Sequence, residues 1–333
     1  AARYTLHSLV RAFARSELAR DKVFEESARS RWLNWYLQLT SQVGYCRNDF
    51  SRLELLDPER SMIHEVAGWA QFHQRHQETL TLVAGCAFYC YVRGLMNKKP
   101  DINLLGAEAA QVLARPLDEL QWLSHHVRRL SRAGRLNEAE PYLGRMASLA
   151  SGQALPRDVA ENYHHSLASY YLALGNVDEA EREWRALLAG ETTGSSAWLI
   201  TSKWLATCFR RKGALHEAYT LLETAMRAAG SDANQRAVIS LQLEWARVSL
   251  AQGELDAAGR QLSGARALVE CSHVERHVPD IHMLEGLLLE HTGDLLGARE
   301  AFSLALDGFE RIGLRQELTE ARQELAQLAD DPG

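Results

Sequence analysis

The feature that most constrains this chain is a segment it repeats. Gly134-Arg-Leu-Asn-Glu-Ala139 returns as Gly175-Asn-Val-Asp-Glu-Ala180, Gly213-Ala-Leu-His-Glu-Ala218, Gly253-Glu-Leu-Asp-Ala-Ala258 and Gly293-Asp-Leu-Leu-Gly-Ala298, with Gly-to-Gly steps of 41, 38, 40 and 40. A fixed period of this size in an otherwise varied sequence marks stacked supersecondary units, none of which can bury its apolar face alone. One more step back reaches Gly94, which marks a sixth, degenerate unit without the downstream Ala.

Each unit reads as two helices. The Gly ends the first in a left-handed conformation. Asn137, Asp178 or Asp256 is placed to cap the second, with Glu138 or Glu179 near the positive end of its dipole. Small residues seven before the Gly (Ala87, Ala168, Ala206, Ala246, Gly286) and twelve after it (Ala225, Ala265, Ala305) allow close helix approach. Trp184, Leu222, Leu262 and Phe302, nine after it, fill between them. No period-2 alternation is found, so strands are not expected. The pattern resembles the tetratricopeptide repeat, whose period is about 34 residues; another α-solenoid class is the alternative. The resemblance implies an all-α, right-handed solenoid of helix pairs over residues 116–312. The extra residues in each unit lengthen each helix by about 4–5 Å and deepen the groove. Residues 313–333 supply a capping helix (315–329) and a tail, since an open solenoid needs a cap. Such units contact their neighbours alone, so an extended arc is expected unless its ends close on each other or on the N-terminal helices.

Ahead of the repeats stands Arg3-Tyr-Thr-Leu-His-Ser-Leu-Val-Arg-Ala-Phe-Ala14, with Leu6, Leu9, Val10 and Phe13 on one helical face. This stretch resembles the last helix of the winged-helix subdomain in signal-transducing ATPases with numerous domains, the STAND class that includes plant disease-resistance and apoptotic ATPases. Their Met-His-Asp motif falls on Leu6-His7-Ser8, where Ser8 replaces the acid. The resemblance implies that His7 contacts bound ADP in a full-length parent; an ordinary amphipathic helix with a surface His is the alternative. It also implies a division into a winged-helix end (1–20), a helical linker with the degenerate repeat (21–115), the repeats and the cap. The chain opens on Ala1 rather than Met, so an upstream nucleotide-binding domain in a longer chain is expected.

Composition removes other classes. Lys and Arg number 37 against 43 Asp and Glu, a net charge of −6, which argues against direct nucleic-acid binding. No apolar run reaches the roughly 18 residues of a membrane span. Five Cys without framework spacing read as reduced thiols of a cytoplasmic protein, with Cys86 and Cys90 as small core residues. There is no phosphate-binding Gly-x-x-x-x-Gly-Lys-Ser/Thr loop, no Gly-x-Ser-x-Gly and no His-Glu-x-x-His. No enzymatic activity, cofactor or metal is therefore expected. Cys271, His273 and His277 have a spacing that could hold a metal, but their place at a repeat boundary before Pro279 reads as a solvated loop.

The groove carries the functional expectation. In tetratricopeptide solenoids the first helix of each pair lines the concave face. Positions 13, 10, 6, 3 and 2 before each Gly then give the cations Arg128, Arg132, Lys203, Arg210, Arg211 and Arg247, with His165 and Thr207 beside them. Asp280 and Glu290 are the acids at these positions, both in the last repeat. The windows that lead up to each Gly sum to a charge of +3, and the equal windows that follow it sum to −5, so an acidic chain puts its cations inside. Arg210, Arg211 and Arg247 are expected to converge on one anion, because the guanidinium fork suits a carboxylate. The implied partner is an anionic inducer, small molecule, peptide or protein. The implied role is the sensing and autoinhibitory domain of a STAND-type ATPase; a stand-alone adaptor that binds a partner's peptide is the alternative.

Overall fold

A computed structural model describes residues 7–44, 50–151, 154–230 and 233–330. Leu6 and the tail beyond Asp330 lie outside the described residues. Among those described, every regular element is a helix. Three precede the repeats: α1 (Ser8–Leu18), α2 (Lys22–Val43) and α3 (Ile63–Phe72), with a 3-10 stretch, Phe50–Glu59, before α3. The pair around Gly94 follows, α4 (His76–Val92) and α5 (Ile102–Val112). Next come α6 (Pro116–Arg132) with α7 (Leu136–Ala150), and α8 (Arg157–Leu174) with α9 (Val177–Gly190). Then α10 (Ser196–Arg211) pairs with α11 (Leu215–Ala228), and α12 (Gln235–Gln252) with α13 (Leu255–Ser272). The 3-10 turn Glu275–His277 leads into α14 (Val278–Thr292), which pairs with α15 (Leu295–Ile312), and α16 (Arg315–Asp330) covers that last pair.

The Gly of each repeat is left-handed, with φ of +91° at Gly175, +77° at Gly253 and +86° at Gly293. After Gly175, the Asn176 N–H reaches back to the Tyr171 carbonyl at 2.9 Å, satisfying a carbonyl that the helix end would orphan. The expected caps are corrected. The second helices start earlier, at Leu136, Val177 and Leu255, so Asn137, Asp178 and Asp256 sit inside the first turn. The reason is a tighter turn: Val177 N–H already closes on the Gly175 carbonyl at 2.9 Å. At α15 alone among these, the Asp294 carboxylate caps, accepting from Gly297 N–H at 3.0 Å.

The small and large residues of each unit meet as their offsets require. Ala168, Ala206, Ala246, Trp184, Leu222 and Phe302 are fully buried. A Cβ on Gly286 would stand 2.4 Å from Cε1 of Phe302, so this position admits no side chain without repacking.

The arc closes on itself. A Cβ on Gly94 would fall 2.7 Å from Ile312 Cγ2, and one on Gly313 would fall 2.6 Å from Asn97 Cγ, so the first repeat's turn sits against the last repeat. Charges fasten the seam. Arg60 holds Glu275 through two hydrogen bonds of 3.2 and 2.8 Å and also donates to the Arg93 carbonyl. Arg93, buried, chelates Asp57 at 2.8 and 2.9 Å and donates to the carbonyl of His273. One apolar cluster runs from Val83 and Tyr89 of α4 to Ile239, Val274 and Ile281 of the last repeats. Removing Arg93 strips Asp57 and the His273 carbonyl of a charged donor, a loss of about 2–4 kcal/mol. Arg93→Ala is therefore expected to lower the melting temperature and to enlarge the radius of gyration measured by small-angle scattering. An unchanged radius would show that the ring closes without this contact.

Candidate functional site: the cavity inside the closed superhelix

Because first helices take the inside of the curve, α4, α6, α8, α10, α12 and α14 face one central cavity of about 1050 Å³, and α16 adds Glu317 and Glu320 to its wall. The eight residues expected in the groove, Arg128, Arg132, His165, Lys203, Thr207, Arg210, Arg211 and Arg247, all line it.

Their chemistry is divided. Lys203, Arg210 and Arg247 do meet anions, but these are the chain's own carboxylates. Arg210 Nε donates to Glu244 Oε1 at 2.7 Å, and Lys203 Nζ lies 3.9 Å from Glu244 Oε2. Arg247 donates to Asp280 Oδ1 at 2.9 Å, and His277 Nδ1 is 3.4 Å from the other oxygen. Burial pushes the Glu244 carboxyl up, yet Arg210, Lys203 and Arg247 outweigh it and hold it at about 2. Asp280 is driven well below the carboxylate range: burial opposes, and His277 and Arg247 win. Burial draws the Lys203 ammonium down to about 8 against the pull of Glu244. Arg211 donates to the Leu172 carbonyl at 3.1 Å and so serves the end of the neighbouring α8. Thr207 donates to the Lys203 carbonyl at 3.0 Å.

His165 is a tie between repeats. Trp184 Nε1 donates to its Nδ1 at 3.0 Å, so the proton sits on Nε2, which donates to Thr201 Oγ1 at 3.1 Å; Thr201 donates to Glu191 at 2.9 Å. Burial, reinforced by Arg128, lowers the imidazole to about 3 and keeps it neutral. Trp184 stacks on Trp204 with centroids 5.5 Å apart, and Arg132 Cζ lies 5.4 Å from the Trp204 ring, so Trp204 supplies an aromatic wall to the cavity.

Among the cavity residues that escaped the sequence reading are Tyr91, Arg236 and Arg276. The Cζ atoms of Arg276 and Arg236 lie 4.5 and 5.5 Å from the Tyr91 ring centroid. Arg132, which lines the same cavity, also acts on the Tyr91 hydroxyl electrostatically. Burial raises that hydroxyl's pKa, but Arg276, Arg132 and Arg236 carry it well below the phenol range. Burial in turn lowers the Arg276 guanidinium to about 10, with Arg132 adding to the effect. Signals existed for all three. Arg236 and Arg276 share one register, a single helical turn beyond the furthest offset used before their turn Gly, and Tyr91 stands three before Gly94 of the degenerate unit. The segment expected as a solvated loop, His273 to Pro279, instead turns inward, and Arg276 and His277 are buried. Among the described residues no cluster of three or more His, Cys, Asp or Glu side chains is arranged to hold a metal. None of the described helices is long and apolar enough to cross a membrane. His7 lies away from the cavity at the start of α1, exposed, its Nδ1 accepting from Leu9 N–H at 3.3 Å.

No protein-family profile and no curated protein matches the chain. Among solved structures, Bacillus thuringiensis PlcR in complex with the peptide PapR7 and DNA is 15% identical, covering 82% of this chain and 98% of that one, with a TM-score of 0.50. TTC0263, a thermophilic TPR protein of Thermus thermophilus, is 22% identical over 62% of this chain and 98% of that one, with a TM-score of 0.44. The apo form of RapI is 11% identical over 81% and 70%, with a TM-score of 0.40. The fold of the present chain is a tetratricopeptide-like α-solenoid.

The paired acids make an acid-sensitive site. A carboxyl whose folded pKa lies below its unfolded value stabilises fully above that unfolded value and loses the contribution as pH falls toward the folded one. For Glu244 the window runs from the ordinary 4.5 down to about 2, worth about 3 kcal/mol. Urea unfolding from pH 7 to pH 2 is expected to show the parent losing that much more stability than Glu244→Gln. Parallel curves would mean that the Arg210 contact contributes nothing.

Proposed function

We propose that this chain is a ligand-sensing repeat domain, the sensor and autoinhibitory arm of a STAND-type signalling ATPase, and that its inducer enters the central cavity. The observation that carries this reading is the cavity itself, large enough for a peptide segment or a drug-sized molecule and walled by the inner helices of every repeat. Nine of its lining residues are Lys or Arg and seven are Asp or Glu, an excess of cations in a chain whose net charge is −6. An anionic ligand is therefore favoured. That the PlcR structure is a complex with the peptide PapR7 and DNA supports a peptide as one ligand class.

Two further observations support coupling to another domain. Leu9, Val10 and Phe13 leave an apolar stripe of α1 exposed, as a helix that packs against an upstream winged-helix body requires. The seam also joins the cavity to the segments before the repeats: Glu275 is held by Arg60, while its neighbour Arg276 faces Tyr91 inside. A ligand that shifts Arg276 pulls on the Arg60 contact, and so on the helices that would carry the signal to the ATPase.

Ala84, exposed, and Ala197, half-buried, both line the cavity, so a larger side chain there projects into the void. Mass spectrometry of molecules released from the natively purified parent, Ala84→Trp and Ala197→Trp is the test. A species carried by the parent and missing from both variants is the expected result. Identical spectra from all three, or none enriched in the parent, would contradict a cavity ligand.

A further inference from the structure

The cavity has two electrostatic halves, and only one is balanced. On one side Lys203, Arg210 and Arg247 each have an acid of the chain against them. Around Tyr91 this is not so. Arg276 is only 6% exposed, yet its Nε and Nη2 have no hydrogen-bond partner, and neither does Nε of Arg236. Asp280, the carboxylate that acts on Arg276, is already taken by Arg247 and His277. Glu317, whose field reaches Arg132, keeps Oε2 buried and unpartnered, and burial pushes its carboxyl up. Buried polar groups are normally paired, and a buried guanidinium with idle N–H groups carries a large desolvation penalty. Cation–π contact keeps both guanidinium groups over the Tyr91 ring while these N–H groups stay without a partner.

We propose that Arg132, Arg236 and Arg276, gathered around Tyr91, form an anchoring subsite for a dianionic tetrahedral oxyanion, a phosphoryl group of the ligand. The proposal rests on the cavity being the ligand site. Two features select this chemistry. The forks belong to three different inner helices or turns, from the second, fifth and sixth units, and so come from separate parts of the cavity wall. A phosphoryl group offers three terminal oxygens to such donors, whereas a carboxylate offers two in one plane and is matched by one fork. The charge also fits: besides the Tyr91 hydroxyl, the acids that act on the three cations are Asp280, already engaged by Arg247 and His277, and Glu317, whose charged form burial disfavours, so there is room for two negative charges. The subsite explains in addition why ligand binding bears on closure, since Tyr91 and Arg132 belong to the first units and Arg236 and Arg276 to the last. A phosphoryl group held between them ties the two ends of the arc together.

The probe is inorganic phosphate, titrated at constant ionic strength with chloride and acetate as references, read by thermal melting and by 31P line broadening. Phosphate is expected to raise the parent's melting temperature in a saturable way that neither reference reproduces. Arg276→Met, which removes an unsatisfied buried cation, is expected to melt at or above the parent without phosphate and to bind phosphate at least about tenfold more weakly. Arg236→Gln is expected to weaken phosphate similarly and serves if Arg276→Met does not fold. Lys212→Gln, whose charge lies against Asp178 outside the cavity, should leave phosphate binding unchanged. An equal phosphate response in parent, Arg276→Met and Arg236→Gln would overturn the subsite, and acetate acting as strongly as phosphate would overturn the dianion assignment. If phosphate fails while a species is still lost from Ala84→Trp, the subsite falls and the cavity reading stands. Loss of that species' parent-specific enrichment removes the cavity reading itself.

Discussion

The structure depends on a seam between residues far apart in the chain. Arg93, buried in the first repeat's turn, draws Asp57, Arg60 and Glu275 into one charged cluster with the carbonyl of His273. Without that seam the helix pairs would form an arc with a groove open to solvent, and exposed cations in a groove bind weakly and unselectively. With it the groove becomes a cavity. Arg210 and Lys203 can then act on Glu244 in a medium where an ion pair is strong, and Arg276 can be kept from water without a partner. Closure is thus the condition for both the balanced and the unbalanced half of the site.

The two halves suggest a division of labour. Paired buried charges resist rearrangement, because breaking one pair leaves the other charge stranded at about 3–5 kcal/mol. The Glu244 and Asp280 groups lock neighbouring first helices at a fixed spacing and so set the curvature of the array. The Tyr91 cluster is the reverse, a place where the chain retains unfavourable charge that an added anion would relieve. That unrelieved charge is itself a driving force for binding.

The solenoid was legible in the sequence because neighbour packing repeats with the period. Gly at the turn, Ala168 or Gly286 facing Trp184 or Phe302, and the inward offsets of Arg128 through Arg247 all recur from unit to unit. Contacts that break the period could not be read this way. Arg60 and Glu275 are 215 residues apart with no periodic relation. Arg210 pairs with Glu244 across 34 residues and Arg247 with Asp280 across 33, so counting charges helix by helix found the cations and Asp280 but missed Glu244 and both pairings. The expected convergence of these arginines on a ligand was read from their positions alone; the acid that meets them is on the next repeat. Tyr91 was hidden because its repeat lacks the downstream Ala that identified the others, and Arg276 because a short 3-10 turn before Pro279 has the composition of a loop.

Closure is the central claim, and a distance across the seam tests it most directly. Lys98, next to the Asn97 contact with Gly313, and Gln316, at the start of the closing helix, are both exposed and can carry spin labels. Pulsed electron paramagnetic resonance on the doubly labelled chain should return a single, narrow, short distance. A broad distribution centred at long distance would show an open arc, and with it the cavity and everything argued from its burial would fail.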